Sequence, residues 1–364
     1  MCSLRSQSSL TVHSTDPYNA EPAPERLVSS FLTPQKDLYV RSHGPVPMLD
    51  AGHHRLTVDG LVATPLDLSM VEIRRRFPVR SVTSVLQCAG NRRGDLRQVR
   101  PVSGDPWSAG AVGNAVWTGA ALADVLHAAG VAADANPSMH IVFTACDTCE
   151  TDHERYRYAA SIPIGKALSP EVLLAYAING EDLAAEHGFP LRVVVPGYAG
   201  VRSVKWVTGI TVQLEPSDAR PQARDYKLFP PHVTKETADW DAGMTINEMP
   251  VNAAICQPSA GARLQPGPTL LRGYATVSGR AVVRVDVSAD GGRSWHQGML
   301  KCDQAAPWGW TLWEATTDLP PGEHDLVVRA WDSAGQTQPS SPDDTWNFKG
   351  YLNNAWHRIR VTAG

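Results

Sequence analysis

The chain has 364 residues, 43% of them hydrophobic and 19% charged, and 33 Lys+Arg against 37 Asp+Glu leave a formal net charge of −4. The length favours two domains over one, and the charge balance argues against a nucleic-acid partner. No apolar run reaches the length of a membrane span, and the N-terminus shows neither an apolar leader, a twin-Arg signal, nor the apolar segment that a lipid anchor on Cys2 would need. The expectation is a cytoplasmic protein with no membrane partner. Six scattered cysteines (Cys2, Cys88, Cys146, Cys149, Cys256 and Cys302) do not form a disulfide framework.

Residues 1–27 are rich in Ser, Pro and Glu and read as an extended N-terminal arm with little structure of its own. Pro34, Pro45 and Pro47 then exclude a helix around Arg41-Ser42-His43, which reads as a loop. Ser69-Met70-Val71-Glu72 is a capping box opening a short helix that Phe77-Pro78 closes. The β-branched run from Val79 to Leu86 reads as a buried strand ending at Cys88. Gly90 and Asn91 tolerate left-handed backbone and let the chain turn behind the sulfur. Arg92 and Arg93 follow, and a guanidinium pair beside a thiol favours the thiolate, the form that attacks or binds metal. On the residues alone, a buried structural cysteine beside a solvated arginine pair fits equally well.

Residues 94–107 read as a loop ending at Trp107. Thr118 is placed to cap a helix with Leu122, Val125, Leu126 and Ala129 on its apolar face, closed by Gly130, with His127 on its surface. Cys146-Asp147-Thr148-Cys149, with Asp152 and His153 close behind, has the spacing of a redox pair or part of a zinc site, but the second cysteine pair of a structural zinc site is absent. Glu171 to Ile178 reads as a strand before an Asn179-Gly180 turn, although its Leu and Ala also suit a helix. Leu191 to Val195 is a strand, and Val201 to Trp206 leads into another, so His187, Arg192 and Lys205 lie at the edges of one sheet region. Four prolines between 216 and 243 mark an irregular crossing segment that carries Tyr226.

From residue 246 the pattern changes to short alternating strands: Val283, Val285 and Val287; Leu326, Val328 and Ala330; His357, Ile359 and Val361. With Gly, Pro and Asp between them, these predict an antiparallel sandwich. Trp295, Trp308, Trp310, Trp313 and Trp331 are expected to fill its core. No internal repeat is present.

Cys88-Ala89-Gly90-Asn91-Arg92-Arg93 resembles the molybdenum-cysteine motif of the sulfite oxidase family. Further blocks match in order: Arg41-Ser42-His43-Gly44-Pro45-Val46-Pro47, His187-Gly188-Phe189-Pro190-Leu191-Arg192, Val204-Lys205-Trp206, Arg224-Asp225-Tyr226-Lys227, Trp346-Asn347-Phe348-Lys349-Gly350 and Asn354-Ala355-Trp356-His357-Arg358. The resemblance runs from about residue 28 to the C-terminus. It implies an α+β architecture, a mixed molybdopterin-binding catalytic domain over 28–245 followed by an all-β immunoglobulin-like sandwich over 246–364 that forms a homodimer. It implies molybdenum–molybdopterin as cofactor, with Cys88 the metal's protein ligand and Arg41, His43, Asp147, His187, Arg192, Ser203 and Lys205 holding the pterin. It implies sulfite as substrate, with Arg41, Arg93 and Lys349 as positive charge, Tyr226 as hydrogen-bond donor and Trp107 as pocket wall. Animal members carry Arg where this chain has Lys349, so the bidentate fork is lost while the charge stays.

No cytochrome-type segment precedes Arg41, so no haem is expected, and electrons are expected to leave to oxygen or to an external acceptor. A nitrate reductase core shares the motif, but Tyr226 stands where that branch carries Asn. A non-catalytic immunoglobulin-like scaffold fits poorly with an intact Arg41, Cys88, Arg93 and Tyr226 set.

Overall fold

The β-branched run before Cys88 forms the strand Val79–Gln87, antiparallel to Val112–Ala121. That strand pairs in turn with Leu173–Ile178, which also carries Arg192–Val194 and Glu181–Asp182. Both faces of this sheet are covered, Leu174, Tyr176 and Val193 entering one core and Leu173, Ala175 and Val194 another. A strand buried on both faces has no polar side to alternate with, which is why Leu173–Ile178 reads almost as well as a helix. The structure, a computed structural model, describes residues 10–151 and 154–364. Cys2, Asp152 and His153 lie outside the described residues.

A second sheet runs Leu66–Ser69, Arg55–Gly60, Val207–Gln213, His140–Glu150 and Arg155–Pro163, with Arg55–Gly60 and Val207–Gln213 parallel. Helix Met70–Arg76 opens with the expected capping box, Ser69 and Glu72 bonding each other's backbone N–H. The cap proposed at Thr118 is corrected. Thr118 is still in the strand, its hydroxyl 2.8 Å from that of Ser81, and helix Leu122–Ala128 starts behind Ala121 with no side-chain cap. His127 is exposed, and Gly130 follows at φ 85°. Cys146 and Cys149 fall within the strand His140–Glu150 and are both free thiols.

The N-terminal arm is also corrected. Leu10–Thr15 and Tyr18–Pro22 form a hairpin that adds to Val40–Arg41. Its anchor is Glu21, whose buried carboxylate accepts the N–H groups of Ser108 (2.7 Å) and Gly110 (3.0 Å) and meets His13 Nε2 at 2.9 Å. Composition hid this because the segment donates few apolar side chains; it is held by backbone pairing and one buried acid.

Residues beyond 250 form two facing sheets. One has Asn252–Gln257, Gly267–Thr276, Thr311–Leu319 and Met299–Lys301, and the other has Arg263–Leu264, His357–Ala363, Gly322–Asp332, Val282–Ser288 and His296–Gln297. Leu326, Val328, Ala330, Ile359 and Val361 face inward as their alternation requires. Val283 does not, being 51% exposed, because a register shift after Val282 turns Val282 and Val285 inward instead. The expected tryptophan core is corrected too: among the five, Trp313 joins the aliphatic core. Trp310 seals the contact with the first domain beside Leu27, Ala109 and Val112, while Trp295 and Trp331 stack on the Arg329 guanidinium at 3.9 and 4.7 Å. Among the described residues, no helix is long and apolar enough to cross a membrane.

Replacing Glu21 with Ala leaves the buried Gly110 N–H without an acceptor, at roughly 1–3 kcal/mol, and removes the partner of the more exposed Ser108 N–H as well. The urea midpoint of Glu21→Ala should therefore fall well below that of the native chain, and an unchanged midpoint would mean that the hairpin is not an integral part of the fold.

Candidate functional site

Cys88 follows the last residue of its strand, donates its N–H to Ala111 O (2.9 Å) and is 5% exposed. Its Sγ accepts the Gly90 N–H at 3.4 Å. The chain turns through Asn91 N–H to Cys88 O and Arg93 N–H to Gly90 O, and the left-handed residue is Arg92 (φ 62°), not Gly90 or Asn91. Gly90 serves a different need. A Cβ there would lie 2.7 Å from Arg93 Nη2 and 3.1 Å from Trp107 Cδ1. The two arginines diverge: Arg92 turns away to Asp95 and Asn252, while Arg93 faces the sulfur together with Arg41. Burial pushes the Cys88 thiol up, and Arg93, the Gly90 N–H and Arg41 only partly counter it. The thiolate expected from an arginine pair is thus not favoured by the protein alone; it needs a further positive charge at the sulfur.

Cys88 lines a cleft. Every residue expected to hold the pterin — Arg41, His43, Asp147, His187, Arg192, Ser203 and Lys205 — lines it as well. Arg192 is buried at the start of its strand, donating to His187 O (2.8 Å) and Ser203 O (3.0 Å). Lys205 Nζ donates to Ser42 Oγ (2.8 Å) and Glu186 O (2.9 Å). Burial lowers Arg192 to about 10 and, with Arg192 adding repulsion, Lys205 to about 7. Burial together with these two cations brings His187 down to about 3, so its imidazole is neutral. Ser203 Oγ accepts the Val195 N–H and fixes the loop between the strands. Asp147 carries a buried Oδ1 with no partner, and burial raises its carboxyl above the usual range against the pull of Lys205.

Tyr226 follows the π-turn Pro221–Asp225, stacks on Tyr351 at 5.1 Å, and brings its hydroxyl to 2.7 Å from His43 Nε2. Burial holds Tyr226 far above its ordinary value, so it stays a neutral hydroxyl, and burial with Arg41 and Lys205 keeps His43 well below its own. Arg41 donates to Asn19 Oδ1 in the N-terminal hairpin at 3.3 Å. Burial opposes its charge, but Tyr226 and Cys88 nearby leave it held above its usual range.

The remaining expected residues sit on the Cys88 side, outside the cleft lining. Arg93 is buried, donating to Gly350 O (3.3 Å) and Asp105 O (3.2 Å), with Tyr351 5.0 Å from its guanidinium carbon. Lys349 approaches Asp225 at 4.0 Å and Trp240 at 5.3 Å, and burial lowers it although Asp225 pulls the other way. Trp107, expected as a pocket wall, is wholly buried behind Gly90 beside His13 and Tyr39, with its Nε1 unpartnered. The side chains of Tyr39, Ser42, Tyr158 and Tyr351 were not legible as site residues. Ser42 and Tyr351 lie inside or next to matched blocks, whereas Tyr39 and Tyr158 have no local signal.

Chemically, the cleft offers buried and half-buried cations and an unpartnered acid oxygen to an anionic, hydrogen-bonding ligand, and one soft sulfur to a metal. Among the described residues, no three His, Cys, Asp or Glu side chains are grouped to hold a metal. A metal here therefore needs ligands brought with it.

Two family models cover the chain: the oxidoreductase molybdopterin binding domain matches residues 43–220, and the Mo-co oxidoreductase dimerisation domain matches 243–364. The sulfite oxidase of Gallus gallus is 46% identical over 96% of this chain, which spans 77% of that protein. The mitochondrial sulfite oxidase of Homo sapiens is 43% identical over 97% of this chain, which spans 65% of its length. Among solved structures, the sulfane dehydrogenase SoxCD of Paracoccus pantotrophus superposes with a TM-score of 0.82 at 25% identity, covering 100% of this chain and 90% of that one.

Lys205 gives the cleft a pH dependence. In the free protein its ammonium is charged below about 7 and loses its proton as the pH rises through that value. Binding of sulfate, which keeps the same charge over this range, to the cofactor-free chain, followed by calorimetry, should weaken from pH 6 to pH 8.5 and take up protons near neutrality. Lys205→Met should bind weakly at both pH values. A pH-independent affinity in the native chain would place its ammonium elsewhere.

Proposed function

The chain belongs to the sulfite oxidase family of molybdopterin-binding oxidoreductases, and from that membership we propose that it oxidises sulfite to sulfate at a molybdenum centre bound through Cys88, passing the electrons to oxygen or an external acceptor. The observation that carries the reading is one buried thiol at the edge of a cleft lined by three cations, Arg192 buried and Arg41 and Lys205 half-buried. The donor set suits the group: Cys88 is soft, as sulfur-ligated molybdenum requires, and Arg192 and Lys205 are placed for a phosphate while Asp147 offers its free Oδ1 to a pterin N–H. When bound, the molybdenum cofactor supplies the two-electron redox change and the transferred oxygen, which water replaces: sulfite and water give sulfate, two protons and two electrons.

The chain's own residues do the rest. Sulfite is an anion approaching an anionic centre, and fixed positive charge must offset that repulsion. Arg93 supplies it beside the sulfur and Arg41 from the cleft side, each hydrogen-bonded to its neighbours. Lys349 adds a charge from the second domain, next to Asp225 and one residue from the carbonyl that Arg93 contacts. Tyr226 remains protonated throughout the working range. With the His43 proton on Nε2, the imidazole donates to the Tyr226 oxygen and the Tyr226 proton is free for the substrate side. The match of residues 243–364 to a dimerisation domain supports a homodimer.

Steady-state kinetics with sulfite and an artificial acceptor test this reading. Tyr226→Phe should mostly lower kcat, because its hydrogen bond acts where charge shifts. Lys349→Met should mostly raise KM, because that charge gathers the anion before reaction. A hydrogen bond to a charged group is worth roughly 1.5–3 kcal/mol, so each loss amounts to about one to two decades. Lys349→Arg should tighten sulfite binding. Native protein that turns over nitrate but not sulfite would overturn the proposal.

A further inference from the structure

The Cys88 turn is gripped from the second domain. Its Ala89 carbonyl accepts the Leu352 N–H (2.8 Å), and its Asn91 side chain donates to the Tyr274 hydroxyl (2.9 Å). The tightest hold is on Arg92. This residue is 1% exposed and takes a left-handed conformation, which costs strain in any residue with a Cβ and would be free for glycine. A long side chain at such a position calls for a reason, and its contacts give one. Arg92 Nη1 donates to Asn252 Oδ1 (2.8 Å) and lies 3.4 Å from Ala253 O, both on the first strand of the sandwich. Nε donates to Asp95 Oδ2 (3.0 Å) on its own side. The Arg92 carbonyl accepts Asn353 Nδ2 (2.9 Å), and the Asn252 amide in turn reaches Asn353 O at 3.4 Å. Arg92, Asn252 and Asn353 thus form one closed, buried knot across the domain boundary, four residues beyond the sulfur, with the half-exposed Asp95 at its edge.

We propose that Arg92 is a positioning residue: through it the second domain fixes the Cys88–Arg93 turn, and with it the direction of the Cys88 sulfur and the Arg93 guanidinium. The second domain is then part of the catalytic apparatus as well as a dimerisation module. Arg92 itself turns away from the cleft. The kinetic part of this inference rests on the sulfite-oxidising reading; the structural part does not.

Two substitutions separate the tether from the turn. Arg92→Gly relieves the strained backbone while deleting the tether, and Asn252→Ala removes the partner in the other domain without touching the turn. Amide hydrogen exchange of the full-length protein as purified reads the result. The amides of Asn91, Arg92 and Arg93 are bonded to Cys88 O, Ser108 O and Gly90 O. Their exchange should rise about tenfold or more in both variants, since exchange follows the population of the locally open form, while the strands Val207–Gln213 and Thr311–Leu319 keep native rates. The sulfite kcat should fall in parallel. The inference is overturned if the turn exchanges at the native rate in both variants, if all three segments accelerate together, or if kcat is native while the turn is loosened. Should Arg92→Gly fail to fold, Asn252→Ala carries the same test. Absence of sulfite turnover in the native protein would instead count against the function proposed above, and would leave the exchange result standing.

Discussion

Burying a cation without a counter-ion is costly, and the way this fold meets that cost determines its site. Arg192 is solvated by the carbonyls of His187 and Ser203, Lys205 by the Glu186 carbonyl and the Ser42 hydroxyl, and Arg202 by the Ile246 carbonyl and the Gln222 amide oxygen. None of these bonds goes to a carboxylate. Main-chain carbonyls satisfy the N–H donors and leave the net charge in place. The depressed values of Arg192 and Lys205 record the residual strain of that arrangement. An anionic ligand removes the strain, so the same feature that weakens the empty fold favours the occupied one.

The neighbouring structure follows from holding those carbonyls in place. His187 and Glu186 belong to a one-turn helix, closed by Gly188 at φ 107°, that presents successive carbonyl oxygens inward. The N-terminal hairpin supplies Asn19 to Arg41 and Glu21 to the loop under Trp107. The second domain reaches over with Lys349, Gly350 and Tyr351 on one side of Arg93 and with Asn252 and Asn353 around Arg92. A glycine at 350 is required, since a Cβ there would lie 2.6 Å from Arg93 Cγ. The site is therefore a property of both domains together.

Much of this was legible in the sequence, for stated reasons. A β-branched run ending at a cysteine, a capping box at Ser69, and alternation at Leu326–Ala330 are local signals, and each folds locally as it reads. Most of the pterin-side residues were found through their motif blocks, with Asp147 and Ser203 outside them, and the fold brings all of them to one cleft. What stayed hidden is long-range. Residues 10–22 have no apolar periodicity, because Glu21 and backbone pairing hold them. The divergence of Arg92 from Arg93 depends on a left-handed residue that sequence would assign to Gly90 or Asn91. Trp295 and Trp331 read as core but stack on an arginine, a role in which an aromatic face stays half in water.

The central claim is that Cys88 gives molybdenum its one sulfur from the protein within this carbonyl-solvated cationic cleft. X-ray absorption at the molybdenum edge tests it most directly, comparing the native protein with Cys88→Ser, each with its metal content measured. The account predicts that the variant's metal has one sulfur neighbour fewer than the native metal; an unchanged sulfur shell around a fully loaded metal in Cys88→Ser would contradict it.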